Sequence, residues 1–287
     1  MCIGEIKGGD GGKRGYIIAS ESTAIDTLEG NLIRDVRPGE MVIVEGDKIE
    51  CHQIHKSRRS AHCVFEYIYF ARPDSILDGR LVYDVRIRIG GRLAEEHPVD
   101  ADVVTPVPDS GTTFAIGYAR RAKMEYTEVF IKNRYVGRTF IMPKQAARET
   151  AVRLKLNVVR SNVEGKRIIL VDDSIVRGTT SRRIVDYLRR GGAKEVHMRI
   201  GSPPIKAPCY LGIDMPTREE LMASEKSIEE IRRMINADSI GYLSIEGLID
   251  SIGIPRRNLC LGCLTGKYPI EIPGEECIVK QTKLTYF

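Results

Sequence analysis

The stretch Arg167–Ser181, RIILVDDSIVRGTTS, limits the fold and chemistry of this chain more than any other part of it. An apolar strand ends on two adjacent carboxylates, Asp172 and Asp173, and then turns through Gly178, Thr179, Thr180 and Ser181 into a helix. Two acids directly after a buried strand are costly unless they are used. Open α/β sheets hold ligands beyond the carboxyl ends of their strands. A helix start opened by a tight glycine turn presents free backbone N–H groups to a terminal phosphate, and the hydroxyls of Thr179, Thr180 and Ser181 add donors. Carboxylates beside such a nest can accept ribose hydroxyls or hold a pyrophosphate through Mg²⁺.

The surrounding pattern supports an α/β fold. From Ala101 onward, apolar runs alternate with amphipathic segments: Asp102–Val107, a helix from about Thr112 to Arg121, Val129–Lys132, the strand Arg167–Val171, a helix from about Ser181 to Arg190 closed by Gly191-Gly192, and Glu195–Gly201. Strands separated by helices of this length imply a mostly parallel sheet with crossover connections. Thr217–Glu220 has the form of a capping box and is expected to open a surface helix with the stripe Ile228, Ile231, Ile235. The first fifty residues read differently, as β structure with strands Gly15–Ser20 and Met41–Glu45 and a turn at Arg37–Glu40.

At 287 residues the chain can hold one large domain, or one domain with a partial companion. Hydrophobic residues make up 42%, and no apolar run nears the roughly 18 residues that span a bilayer, so a soluble protein with no membrane partner is expected. Lys7, Asp10, Lys13 and Arg14 stand where the core of a secretory signal would lie, which points to a cytoplasmic location. A net charge of +5 suits a small phosphorylated substrate better than nucleic acid. The basic stretch His55–His62, HKSRRSAH, lacks interleaved aromatics and reads as a solvated linker. Seven cysteines are present, and Cys260-Leu-Gly-Cys263 has a spacing that suits metal ligation better than a disulfide framework.

The form DDSIVRGTTS resembles the phosphoribosylpyrophosphate (PRPP) loop of type I phosphoribosyltransferases, and in particular that of the glutamine PRPP amidotransferases of purine synthesis. Four further stretches agree: Glu66–Ser75 (EYIYFARPDS), Val107–Ala119 (VPDSGTTFAIGYA), Lys132–Ile141 (KNRYVGRTFI) and Gly262–Pro269 (GCLTGKYP). The resemblance runs from about Gly15 to about Pro273. It implies a type I phosphoribosyltransferase domain over residues 59–287, which includes the segment with the clustered cysteines, preceded over 1–58 by a β remnant and linker of an Ntn-type glutaminase domain.

The implied reaction joins ammonia to PRPP, giving 5-phosphoribosylamine and pyrophosphate. On the same resemblance, Asp172, Asp173, Ser174, Arg177, Gly178, Thr179, Thr180 and Ser181 bind the substrate, while Ser110, Asp172 and Asp173 hold Mg²⁺. The structural alternative for Asp109 or Ser110 is a helix N-cap, and both roles can hold together. Lys132, Tyr135 and Arg138 are the catalytic candidates, on a loop that orders over the substrate and keeps bulk water from the cationic sugar. Attack by ammonia itself needs no protein nucleophile.

In the cluster-bearing branch of the family, cysteines matching Cys63, Cys209, Cys260 and Cys263 ligate a 4Fe-4S cluster. Spacing alone leaves a four-cysteine zinc site open. Cys51 and Cys277 read as free thiols.

A complete member of the family begins with a nucleophilic cysteine followed by glycine, whereas Cys2 here is followed by Ile3 and Gly4. Cys2 is therefore expected to be an interior strand residue, and glutaminase activity to be absent or supplied by a partner chain. The resemblance further implies a homo-oligomer and feedback inhibition by purine nucleotides. Two other functions remain open from sequence: a non-catalytic sensor of PRPP or purine nucleotides, and a salvage transferase that uses a nucleobase. The basic lid favours the enzyme over the sensor.

Overall fold

The apolar run Ile168–Val171 becomes the centre of the protein because both of its faces are covered. In the computed structural model, which describes residues 1–7, 15–57, 59–133, 156–215 and 217–274, the strand Arg167–Asp172 lies inside a four-stranded parallel sheet. The order across the sheet is Ser239–Tyr242, Glu195–Ile200, Arg167–Asp172, Val103–Pro106. Side chains alternate along a strand. Ile168 and Leu170 accordingly pack with Ile184, Val185 and Leu188 of the helix Thr179–Arg190, and with Ile231 and Ile235. Ile169 and Val171 pack on the other side with Ile89, Leu93, Phe114, Tyr118, Leu248 and Ile252, contributed by the helices Val82–Glu96, Thr112–Ala122 and Ile245–Ile252. All four strand residues are fully buried, each stabilising the fold by roughly 1.5–3 kcal/mol.

Two of those helices touch backbone to backbone. A Cβ on Gly90 would lie 2.0 Å from the Phe114 carbonyl oxygen, and one on Gly117 would lie 2.1 Å from that of Ile87. The crossing of Val82–Glu96 over Thr112–Ala122 therefore depends on two glycines, and it fixes the helix that starts beside the candidate site.

The expected strands and helices of this half are present, with ends shifted by a residue or two; the helix after Gly178 begins at Thr179, not Ser181. One expectation is corrected. The Thr217–Glu220 capping box exists, but it closes a single 3-10 turn, Arg218–Glu220. The helix that carries Ile231 is Ile228–Met234, and it has a box of its own. There the Glu230 N–H donates to Ser227 Oγ at 3.2 Å, and the Ser227 N–H donates to Glu230 Oε2 at 2.8 Å. A second capping box, Ser227–Glu230, ten residues downstream of the first thus starts the helix.

Ahead of the parallel sheet, Gly15–Ala19, Cys2–Ile6 and Asn31–Asp35 form an antiparallel sheet in that order, and Glu40–Glu45 pairs with Lys48–Gln53 as a hairpin. Glu21 ties this β unit to the rest: its carboxylate accepts the Arg72 N–H at 2.8 Å and the Ser75 hydroxyl at 2.5 Å. The described residues from His55 to Arg59 are exposed. Among the described residues no helix is long and apolar enough to cross a membrane.

Gly117→Ala is expected to lower unfolding free energy by about 1–3 kcal/mol through overpacking against the Ile87 carbonyl. Chemical denaturation checks this, and an unchanged midpoint would show that the helix crossing has slack.

Candidate functional site

The carboxyl ends of Val103–Pro106 and Arg167–Asp172 open into a cleft of about 480 Å³. Along one stretch it is lined continuously from Asp172 to Ser181, so Asp172, Asp173, Ser174, Arg177, Gly178, Thr179, Thr180 and Ser181 all face the same space. Val107, Pro108 and Ser110 of the turn before Thr112–Ala122 join them. Phe65, Tyr69 and Phe70 add an aromatic surface, and Ile213, Asp214 and Met215 complete the lining.

Local chemistry explains why the chain turns here. Gly178 adopts φ 72°, the left-handed region that favours glycine. A Cβ at Gly178 would also fall 2.3 Å from Met222 Cε. The Met222 N–H donates to the Val176 carbonyl at 2.9 Å and holds the loop from outside. At the neighbouring turn, a Cβ on Gly111 would lie 2.3 Å from the Val171 carbonyl oxygen, so only glycine lets the Val107–Gly111 turn sit against the end of the central strand. Two helix starts, at Thr112 and Thr179, therefore meet at the same strand end.

The acids are held in an unfavourable state. Asp172 and Asp173 are 7% and 5% exposed. Burial pushes the Asp172 carboxyl well above the usual carboxylate range, and the neighbouring Asp173 charge adds to it. Burial raises Asp173 as well, opposed by hydroxyls of Ser110 and Ser174 and by the charge of Arg86. The Asp173 N–H donates to Asp172 Oδ1 at 2.9 Å, and Ser174 Oγ donates to Asp173 Oδ1 at 2.5 Å. Among the described residues no lysine or arginine forms an ion pair with either acid. A donor set of two buried carboxylates and a hydroxyl, Ser110, fits a hard divalent cation such as Mg²⁺.

Lys132 ends the short strand Phe130–Lys132, which pairs antiparallel with Leu156–Val158, and its ammonium forms an ion pair with Asp109 of the Pro-Asp-Ser turn. Tyr135 and Arg138 lie outside the described residues, as does Arg134. Lys132 thus stands at the rim of the turn that lines the cleft.

The four cysteines singled out in the sequence share one neighbourhood. Cys63 and Cys260 are register partners where His62–Cys63 pairs with Leu259–Cys260, and Cys263 follows on the one-turn helix Gly262–Thr265. The N–H groups of Lys206 and Ala207 donate to the Cys263 carbonyl at 2.9 and 3.1 Å. The Tyr268 hydroxyl donates to the Pro208 carbonyl at 2.7 Å, which brings in Cys209. Burial pushes the Cys63 thiol up to about 11. Burial, with the charges of Cys63, Cys260 and Cys209, pushes Cys263 up to about 12. Among the described residues no three His, Cys, Asp or Glu side chains are close enough to grip a single metal ion. Cys51 is exposed, and Cys277 lies outside the described residues. Cys2 is buried within the strand Cys2–Ile6, with its thiol 3.6 Å from the Ala19 carbonyl.

Sequence reasoning missed the aromatic lining, the Ile213–Met215 segment and Arg86. The last had a signal: Val82, Val85, Ile89 and Leu93 form a helical apolar stripe, and Arg86 stands inside it. A charged residue on a buried face marks a site worth asking about.

A parallel sheet in this order, with an acid pair at the end of its central strand and a glycine-opened helix start beside it, defines the type I phosphoribosyltransferase fold, and a model of the phosphoribosyl transferase domain matches residues 74–200. The particular proteins to which the chain is similar are amidophosphoribosyltransferases. That of Archaeoglobus fulgidus is 59% identical over 279 residues, which cover 96% of this chain and 60% of the relative; that of Bacillus subtilis is 51% identical over 94% of this chain and 58% of the relative. A solved structure described as glutamine phosphoribosylpyrophosphate amidotransferase from B. subtilis complexed with ADP and GMP superposes with a TM-score of 0.85 at 50% identity, covering 94% of this chain and 60% of that one. The chain therefore spans about three fifths of the length of the relatives it matches.

Because the folded state raises both carboxyl groups, their contribution to stability falls as pH rises from the unfolded carboxylate range through the folded values. Asp172→Asn is thus expected to raise the melting temperature of the metal-free protein at pH 7, by about 2–4 °C per kcal/mol of relieved repulsion. A lower melting temperature in differential scanning calorimetry would mean that the pair is stabilising as it stands.

Proposed function

We propose that the chain catalyses phosphoribosyl transfer from PRPP to ammonia, the first committed chemistry of purine synthesis. The observation that carries the reading is the buried acid pair opening into the same cleft as the Gly178–Ser181 helix start. The amides and hydroxyls of Thr179, Thr180 and Ser181 receive the 5-phosphate, at the positive end of a twelve-residue helix. Asp172 and Asp173 orient the ribose and, with Ser110, form the seat for Mg²⁺. Bound Mg²⁺ supplies charge neutralisation of the departing pyrophosphate. Lys132, with Tyr135 and Arg138 of the same basic segment, acts from the rim as the lid that excludes water.

The bond between the anomeric carbon and the pyrophosphate oxygen breaks, ammonia forms the new carbon–nitrogen bond, and one proton leaves the resulting ammonium for solvent. No side chain acts as a nucleophile. We further assign ADP- and GMP-like purine nucleotides to the phosphate nest as inhibitors, since the B. subtilis structure is described with both. We also propose that the chain assembles as a homo-oligomer, as the sequence resemblance implies.

For Cys63, Cys209, Cys260 and Cys263 we favour a 4Fe-4S cluster over zinc. Four thiolates suit either group, and the family resemblance is what favours iron and sulfur.

With Mg²⁺-PRPP and ammonium salts, the chain is expected to form phosphoribosylamine at rates that rise with pH as free NH₃ replaces NH₄⁺. Asp172→Asn and Asp173→Asn are expected to lower turnover by about 100-fold or more, the scale seen when a preorganised electrostatic group is removed. Wild-type rates in both variants would sink the assignment. Purified without oxygen, the protein is expected to be brown and to contain iron and sulfide, unaltered by Cys51→Ser; stoichiometric zinc in a colourless protein would move the site to the zinc reading.

A further inference from the structure

We infer that Arg86 is a positioning residue for the transfer step, its buried guanidinium tying the aromatic lining of the cleft to the helix that starts at the Pro108–Gly111 turn. The inference rests on the proposed phosphoribosyl transfer. Arg86 lies on the helix Val82–Glu96 and is 3% exposed. Its Nε donates to the Tyr67 carbonyl at 2.8 Å, and its Nη2 donates to the Ala71 carbonyl at 2.8 Å.

Those two carbonyls belong to the wide turn Glu66–Phe70 and the residue that ends it, where the Ala71 N–H reaches back to the Glu66 carbonyl at 3.1 Å. Wide turns of this kind leave carbonyls at their ends without partners in the turn itself. Arg86 supplies the donors from beneath. Tyr69 and Phe70 of the same turn, with Phe65 just before it, form the aromatic lining.

The guanidinium also stands 5.9 Å over the Phe114 ring. Phe114 is the third residue of Thr112–Ala122, directly after the turn that carries Ser110. Because the two helices touch at Gly90 and Gly117, Arg86 cannot move independently of Phe114. One side chain thus sets the distance between the aromatic lining and the Ser110 turn.

The energetic cost points the same way. Among the described residues the hydrogen bonds of Arg86 go to carbonyls and not to a carboxylate, so its charge is desolvated without a directly bonded counter-ion. A leucine or methionine would fill the apolar stripe at less cost. What the arginine adds is a rigid two-pronged donor, which a lysine cannot reproduce.

A displaced aromatic lining admits water to the anomeric carbon, giving ribose 5-phosphate and pyrophosphate in place of the amine. The hydrogen bonds of Arg86 do not reach the nest at Gly178–Ser181, but its charge favours the ionised Asp173, so PRPP affinity should hardly change only where that charge is kept, in Arg86→Lys. The test measures pyrophosphate released and phosphoribosylamine formed in parallel, with Mg²⁺-PRPP and ammonium, for wild type, Arg86→Lys and Arg86→Gln. Wild-type amine formation is read first and bears on the proposed function alone. Given that activity, Arg86→Gln is expected to lower the ratio of amine to pyrophosphate by about tenfold, and Arg86→Lys, which keeps the charge facing Asp173, to fall between with the KM for PRPP within about twofold of wild type. A variant that loses kcat while keeping the wild-type ratio would show a structural role only and overturn the inference. Should Arg86→Gln fail to fold, Arg86→Lys decides: it keeps the charge but cannot span both carbonyls, and an unchanged ratio in it overturns the inference equally.

Discussion

Two adjacent carboxylates buried at the end of the central strand are the constraint on which the other features of this molecule turn. Both are destabilised by loss of water, Asp172 also by the charge of Asp173, and among the described residues the partners are hydroxyls, one backbone N–H and a more distant arginine. Marginal stability makes such a pair hard to tolerate unless a cation or substrate completes it. The remaining architecture keeps the pair in place: a strand buried on both faces below, a glycine turn on either side, and two helix starts converging on the same point.

Close backbone approach recurs wherever position matters. Gly111 lets the Pro-Asp-Ser turn rest on the Val171 carbonyl, Gly178 lets the loop before Thr179 pass Met222, and Gly90 with Gly117 locks the helices behind them. These contacts permit no slack, because a methyl group at any of them would have to displace backbone or a packed side chain. The cysteine cluster obeys a similar logic at longer range. Segments from three parts of the chain are brought together by a two-residue strand pairing and by amides that bond the Cys263 carbonyl.

The strand-to-helix turn of the candidate site was legible in the sequence because its signals are local: an apolar run, two acids and, after four intervening residues, Gly-Thr-Thr-Ser. Glycine at 178 and hydroxyls after it have few other uses at a strand-to-helix turn. The parallel sheet was legible for the same reason, through its alternation with helices. Arg86 was not, because its meaning depends on which carbonyls lie against its helix, Tyr67 and Ala71, and sequence carries no such distances. The second helix start at Ser227 was missed for a different cause. Its capping box is as plain as that at Thr217, but the stripe Ile228, Ile231, Ile235 that follows it was attached to the earlier box, which made one helix seem sufficient. The lid was read from family resemblance, and of its three candidates only Lys132 falls among the described residues, where it bonds Asp109.

The central claim is that the acid pair exists to hold PRPP through a divalent cation. Calorimetric titration of PRPP into the protein, with and without Mg²⁺, addresses it directly, using wild type and Asp173→Asn. On this account wild type binds PRPP tightly only when Mg²⁺ is present, and the variant loses that dependence along with about 2–3 kcal/mol of binding, the scale of a lost charge-assisted contact. Equal, Mg²⁺-independent binding by both proteins would contradict it.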